Sequence, residues 1–135
     1  MFGKDTKIER LRKVPLFADC SRRELAEIAA VADELRFPAR REVIREGAAG
    51  RELVVVLSGD VEVTRGGELV AEERGANFFG EAALVTGAPR NATVTTTSEV
   101  EALVLTDRAF ARLLERSPEI ERKVQASLDD RVPQD

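Results

Sequence analysis

Between Glu52 and Ser58 the chain reads ELVVVLS, and its apolar positions divide by parity. In an extended strand Leu53, Val55 and Leu57 share one face and Val54 and Val56 the other. A strand that is apolar on both faces is covered on both sides. Ser58-Gly59-Asp60 then reads as a turn, Val61 and Val63 resume the period of two, and Arg65-Gly66-Gly67 marks a second turn. A further strand follows from Leu69 to Glu73, closed by Gly75. Short runs of this kind, divided by Gly and Pro, extend from about Leu35 to Leu105 and predict a small antiparallel barrel or roll.

On both sides of that region the period is helical. Ile8 and Leu11 stand three apart before a break at VPLF, Val14 to Phe17. Ser21 and Glu24 have the spacing of a capping box, in which each side chain satisfies a free backbone donor at a helix start. Leu25, Ile28, Ala29 and Ala32 lie along one face of the helix that follows. After Asp107, Phe110, Leu113 and Leu114 form an i, i+3, i+4 stripe. Ser117 suits an N-cap and Pro118 the first helical position, where its missing N–H costs nothing. Ile120, Val124 and Leu128 continue along a last helix, and VPQD reads as a frayed tail. The expected organisation is one domain over 1–135, with helices in 1–34, a β-roll in 35–106 and C-terminal helices in 107–131. The fold class is α+β, an antiparallel, jelly-roll-like β-roll flanked by helices.

Composition narrows the chemistry. At 135 residues, 43% hydrophobic and 34% charged, the chain has the make-up of a soluble domain with a true core. Its formal net charge of −4 argues against a broad nucleic-acid footprint. Cys20 is the single cysteine and there is no histidine, so an intrachain disulfide, a Cys/His zinc site and an imidazole base are all excluded. No apolar run approaches the roughly 20 residues of a membrane helix, and the charged start lacks a signal-peptide core. A cytoplasmic, non-enzymatic protein without membrane insertion is the expectation.

The long interruption of the strand pattern is FFGEAALVTGAPRNATV, Phe78 to Val94. Glu81 to Val85 fit one helical turn after Gly80, ended by Gly87 and barred from continuing by Pro89. Its first N–H groups favour an anion, and the small side chains of Ala82, Ala83 and Ala92 let a ligand touch main chain. Arg90 offers a planar fork of donors suited to two phosphate oxygens, whereas Glu81 only accepts and suits a sugar hydroxyl. One anion beside one hydroxyl fits a nucleoside cyclic monophosphate. The alternative is a solvated turn in which Glu81 and Arg90 merely pair with each other.

The same residues resemble the phosphate-binding cassette of the cyclic nucleotide-binding domain family, F-G-E-x-A-L, a spacer, then P-R-x-A-T/S, with every fixed position filled. PLF at 15–17, REG at 45–47, LSG at 57–59 and FARLL at 110–114 leading to Pro118 are also similar to it. The resemblance implies that Glu81, aided by the Gly80 backbone, binds the ribose 2′-OH. It implies that Arg90 and the N–H groups of Ala83 and Asn91 hold the cyclic phosphate. Ala82, Ala92 and Thr93 complete the ligand-binding set, with Phe79 and Leu84 in support, and no metal is implied; Thr93 reads equally well as the β-branched residue that starts a strand. Asn91 replaces the threonine that in relatives favours guanine, so cAMP is expected ahead of cGMP. Arg40 departs from the family by occupying a turn position usually held by glycine, and Arg36, Arg40, Arg41 and Arg45 read as a solvated loop and edge.

The expected role is a regulatory sensor. Ligand orders the cassette, the helices after Asp107 repack, and a protein partner in trans receives the signal. Ile120, Val124 and Leu128 are candidates for lid contacts, core packing or a homodimer stripe. The competing reading is a scaffold of the same fold that no longer binds ligand.

Overall fold

Strand β3, Glu52–Ser58, is buried at every position from Leu53 to Leu57, and its two faces serve two different cores. The computed structural model describes residues 4–131, with side chains from Thr6 to Ala126, so the VPQD tail and the side chain of Leu128 lie outside the described residues. Leu53, Val55 and Leu57 pack with Phe17, Leu25, Ile28, Phe110 and Ile120 in a cluster beneath the helices. Val54 and Val56 join Ile44, Val61, Phe79 and Val94 in a second cluster between the sheets. The parity of five residues thus places β3 in the middle layer.

The chain begins with α1 (Lys4–Arg12), a 3₁₀ turn at Pro15–Phe17 and α2 (Arg22–Val31). Strands β1 (Asp33–Phe37) and β2 (Glu42–Ile44) precede β3, and β4 (Asp60–Arg65), β5 (Glu68–Arg74) and β6 (Asn77–Phe79) follow it. After a short helix α3 (Glu81–Thr86) come β7 (Thr93–Thr96), β8 (Val100–Thr106), α4 (Asp107–Arg116) and α5 (Pro118–Arg131). The strands form two four-stranded antiparallel sheets, β1-β8-β3-β6 and β2-β7-β4-β5. The architecture is the α+β roll, two sheets facing each other rather than a closed barrel. Strand structure begins at Asp33, two residues ahead of the expected boundary, because Asp33 and Glu34 pair with Val104 and Leu103 of β8 without apolar side chains of their own to announce it.

Local chemistry explains the corners. At Gly59, φ is 100° and an added Cβ would stand 2.3 Å from the Glu99 carbonyl oxygen, so the passage from the first sheet to the second requires glycine. The β4–β5 hairpin turns on Gly66 and Gly67, both at positive φ, as the primed turns that match strand twist demand. The capping box of α2 forms as its spacing predicts: Glu24 N–H donates to Ser21 Oγ at 3.1 Å and Ser21 N–H to Glu24 Oε1 at 2.8 Å. At the start of α5, Ile120 N–H donates to the Oγ of buried Ser117 at 3.3 Å.

Candidate functional site

Strand β6 brings the site to the edge of the first sheet, where Phe78 and Phe79 pair with Val55 and Val54 of β3. Phe78 turns into the core beneath the helices, and Phe79 into the core between the sheets. The strand ends at Gly80, whose φ of 100° and ψ of 1° reverse the chain into α3. A side chain there would place Cβ 2.5 Å from Arg90 Nη1 and 3.0 Å from the Glu52 carbonyl oxygen. Glycine is therefore required twice at this position, for its conformation and for its lack of bulk. Gly87, at φ 76°, ends the helix and donates to the Ala83 carbonyl at 3.0 Å.

Arg90 is anchored through both backbone and side chain. Its N–H donates to the Ala48 carbonyl at 2.8 Å and its carbonyl accepts from Gly47 N–H at 2.8 Å. Its guanidinium donates through Nη1 to the Gly80 carbonyl at 3.1 Å and through Nη2 to the Glu52 carbonyl at 2.8 Å. Only 9% of Arg90 and 1% of Glu81 are exposed. Burial pulls the Arg90 pKa below its ordinary value, and the Glu52 and Glu81 carboxylates act in the opposite direction. The cation is thus held by carbonyl dipoles and a carboxylate field instead of by water.

These groups share a cleft of about 330 Å³. Phe79, Gly80, Glu81, Ala82 and Ala83 line one side, Arg90, Asn91 and Ala92 another. Eight of the residues singled out from sequence are thus brought together. Thr93 is not among the lining residues: its Oγ1 accepts from Glu46 N–H at 2.9 Å, which ties the 45–50 loop to β7. Leu84 also lies outside the cleft, packed against the core beneath the helices.

Sequence reasoning missed several contributors. Gly50 is one, since a Cβ there would stand 2.4 Å from Ala83 Cβ and 3.1 Å from Arg90 Nη1. The Glu52 carbonyl is another. Arg65 and Glu73 reach the cleft wall from β4 and β5, together with Val63 and Val70. Arg65 Nε donates to the Asn91 carbonyl at 3.0 Å, and Glu73 Oε1 accepts from Asn77 Nδ2 at 2.8 Å. The available signals were the glycine in AAG at 48–50 and the alternation of β4, but neither says which sheet face meets the cleft.

The arrangement suits reversible binding. A buried guanidinium with N–H donors beyond the two already engaged, main chain exposed by small side chains and a buried carboxylate together match a ligand carrying one anion and one hydroxyl. Among the described residues no cluster of His, Cys, Asp or Glu could hold a metal ion, and no helix is long and apolar enough to cross a membrane.

Comparison with known proteins bears on the same residues. The family model described as the cyclic nucleotide-binding domain matches residues 34–117. The chain is 34% identical over 104 residues to a cAMP-dependent protein kinase regulatory subunit of Hypocrea atroviridis, covering 77% of this chain and 22% of that protein. It is 36% identical over 119 residues to a cyclic nucleotide-gated potassium channel of Rhizobium etli, covering 87% and 33%. Among solved structures, the regulatory domain of Toxoplasma gondii PKA, crystallised with cAMP, superposes with a TM-score of 0.73 at 31% identity, over 82% of this chain and 44% of that one. The chain thus spans between about a fifth and a third of the length of these curated relatives.

Proposed function

The chain belongs to the cyclic nucleotide-binding domain family, and from that premise we propose that the Glu81–Arg90 cleft binds a cyclic nucleotide, cAMP ahead of cGMP, and that the chain is a regulatory module without catalysis of its own. One observation carries the reading: two opposite charges, nearly excluded from solvent, stand on the wall of an open cleft of about 330 Å³. Burying charge is costly unless partners repay it. Arg90 spends two of its donors on the Gly80 and Glu52 carbonyls, which fix the fork in place. Its remaining donors, with the N–H groups of Ala83 and Asn91, meet the cyclic phosphate. Glu81 accepts the ribose 2′-OH, and the base extends toward Val63 and Val70. Asn91 offers no hydroxyl to guanine, which favours adenine.

The signal leaves through packing. Leu84 of α3 rests on the cluster that contains Phe110 of α4 and Ile120 and Val124 of α5. Ligand that repositions α3 changes the surface on which those helices sit, and it shifts their arrangement only by its differential affinity for the two states. A regulatory subunit and a channel are both among its relatives, and the receiver proposed for this chain is a protein partner.

Calorimetric titration with cAMP, cGMP and 2′-deoxy-cAMP tests the assignment. Binding is expected in the order cAMP, cGMP, 2′-deoxy-cAMP, with the deoxy analogue weakened by about tenfold or more because it lacks the hydroxyl that donates to the Glu81 carboxylate. Absence of heat and of any thermal shift with all three would leave a scaffold of this fold.

A further inference from the structure

Helix α4 carries a second pattern, DRAFARLLER, in which Arg108, Arg112 and Arg116 recur every four residues. That spacing sets them in a row on one side of the helix, and all three are exposed. The row borders a groove of about 330 Å³ between α4, the second half of α2 and the end of β8. Ile28, Leu105, Ala109 and Leu113 give the groove an apolar lining, together with Val31, which is 58% exposed. No residue of this groove lines the Glu81–Arg90 cleft.

The charges around the groove do not cancel. Arg116 Nη1 lies 3.7 Å from Glu27 Oε2, and Glu27 also meets Arg23 Nε at 4.0 Å. Among the described residues Arg108 and Arg112 have no ion-pair partner. The apolar surface of Val31 gains nothing from facing solvent, and the like charges of Arg108 and Arg112 repel. Both features are satisfied by an occupant that is apolar in the middle and acidic along one flank. The row spans roughly 12 Å from Arg108 to Arg116, in steps of about 6 Å. A single anionic group would reach one or two of these guanidiniums, whereas acidic residues four apart on a helix repeat with the same step.

We propose that this groove docks an acidic amphipathic helix of a partner protein. Its apolar side chains sit against Val31 and Leu113, and its carboxylates face Arg108 and Arg112. This is the helix-in-groove mode, with charge setting register and direction. Because α4 follows β8 and leads into α5, an occupant would bear on the same helices that pack over Leu84.

The test is a titration of the isotope-labelled full chain, followed by amide NMR, with a blocked peptide of about 14 residues carrying leucines and glutamates each at i, i+4 spacing. A peptide with lysine in place of each glutamate, inorganic phosphate, and anionic phosphatidylserine vesicles are the comparison arms. The expected result is saturable shifts confined to the neighbourhood of Ile28, Val31, Ala109, Arg112 and Leu113, weakened about tenfold or more in the Arg108→Glu/Arg112→Glu variant and by added salt. Both substituted arginines are exposed, and an unchanged melting curve of the variant confirms its fold. The proposal is overturned if the variant binds the acidic peptide like the parent, if the lysine peptide binds equally well, if the shifts scatter over the surface, or if phosphate or the vesicles produce the same groove response.

Discussion

Arg90 performs two tasks with one guanidinium: it closes the site by bridging the Gly80 and Glu52 carbonyls, and it faces the cleft with what remains. The sequence motif shows the second task and conceals the first, since both acceptors are main-chain atoms of distant residues. Removal of the side chain is therefore not silent for the fold. Arg90→Ala is expected to abolish measurable cyclic-nucleotide binding and to cost about 1–3 kcal/mol of stability as buried carbonyls lose a charged donor. Arg90→Lys keeps the charge but not the fork, and is expected to weaken binding at least about tenfold with a smaller loss of stability. Calorimetry paired with urea unfolding separates the two effects. Arg40 is legible in another way, as a residue out of place in a turn. It sits at φ 66°, the one non-glycine at positive φ among the described residues. Its N–H donates to the Thr96 carbonyl at 2.8 Å, which holds the turn in this conformation. Arg40→Gly is expected to raise stability by up to about 1 kcal/mol, the left-handed cost relieved less the added freedom of the unfolded chain. A urea midpoint that falls would contradict that geometry.

Elements whose specification is local were legible, and those specified at a distance were not. The caps of α2 and α5 depend on residues three apart, so their spacing suffices to predict them. The loop at 45–50 looks like an ordinary turn, because its significance comes from Arg90 and Thr93, more than 40 residues later. Thr93 illustrates the same point: it opens β7, and its hydroxyl accepts from Glu46 N–H, a contact that no local spacing announces. The two caps also differ in environment. Ser21 is exposed and reciprocated by Glu24, whereas Ser117 is 1% exposed beneath α5. Ser117→Ala is expected to cost about 1–2 kcal/mol and Ser21→Ala about 1 kcal/mol or less, since water can replace the exposed cap but not the buried one. Thermal unfolding of both variants measures the difference, and equal losses would show that burial of the cap has no consequence.

At the scale of the whole molecule, β3 parity announced a strand covered on both sides, but no periodicity could assign β4 and β7 to one sheet and β8 and β6 to the other. Strand order is decided by pairings between residues far apart, and one ionic cluster joins several of the resulting layers. Glu101 on β8 accepts from Arg10 of α1 at 2.8 Å, from Arg36 of β1, and from Ser58 Oγ at 3.1 Å. Hydrogen bonds from Arg10 and Arg36 hold its carboxyl down from an ordinary 4.5 to about 2. A carboxyl whose pKa is lowered by folding contributes stability that is complete above its unfolded pKa and is lost as the pH falls toward the folded one. The cluster therefore leaves stability unchanged from pH 7 to about 5, and its contribution declines between about 4.5 and 2. Glu24, also lowered, here by the Ser21 N–H, adds to the same decline. Urea midpoints measured along that range should fall more steeply for the parent than for Glu101→Gln, which is less stable at neutral pH and converges with the parent near pH 2. Parallel curves would mean that the attachment of α1 to the roll does not depend on this carboxylate.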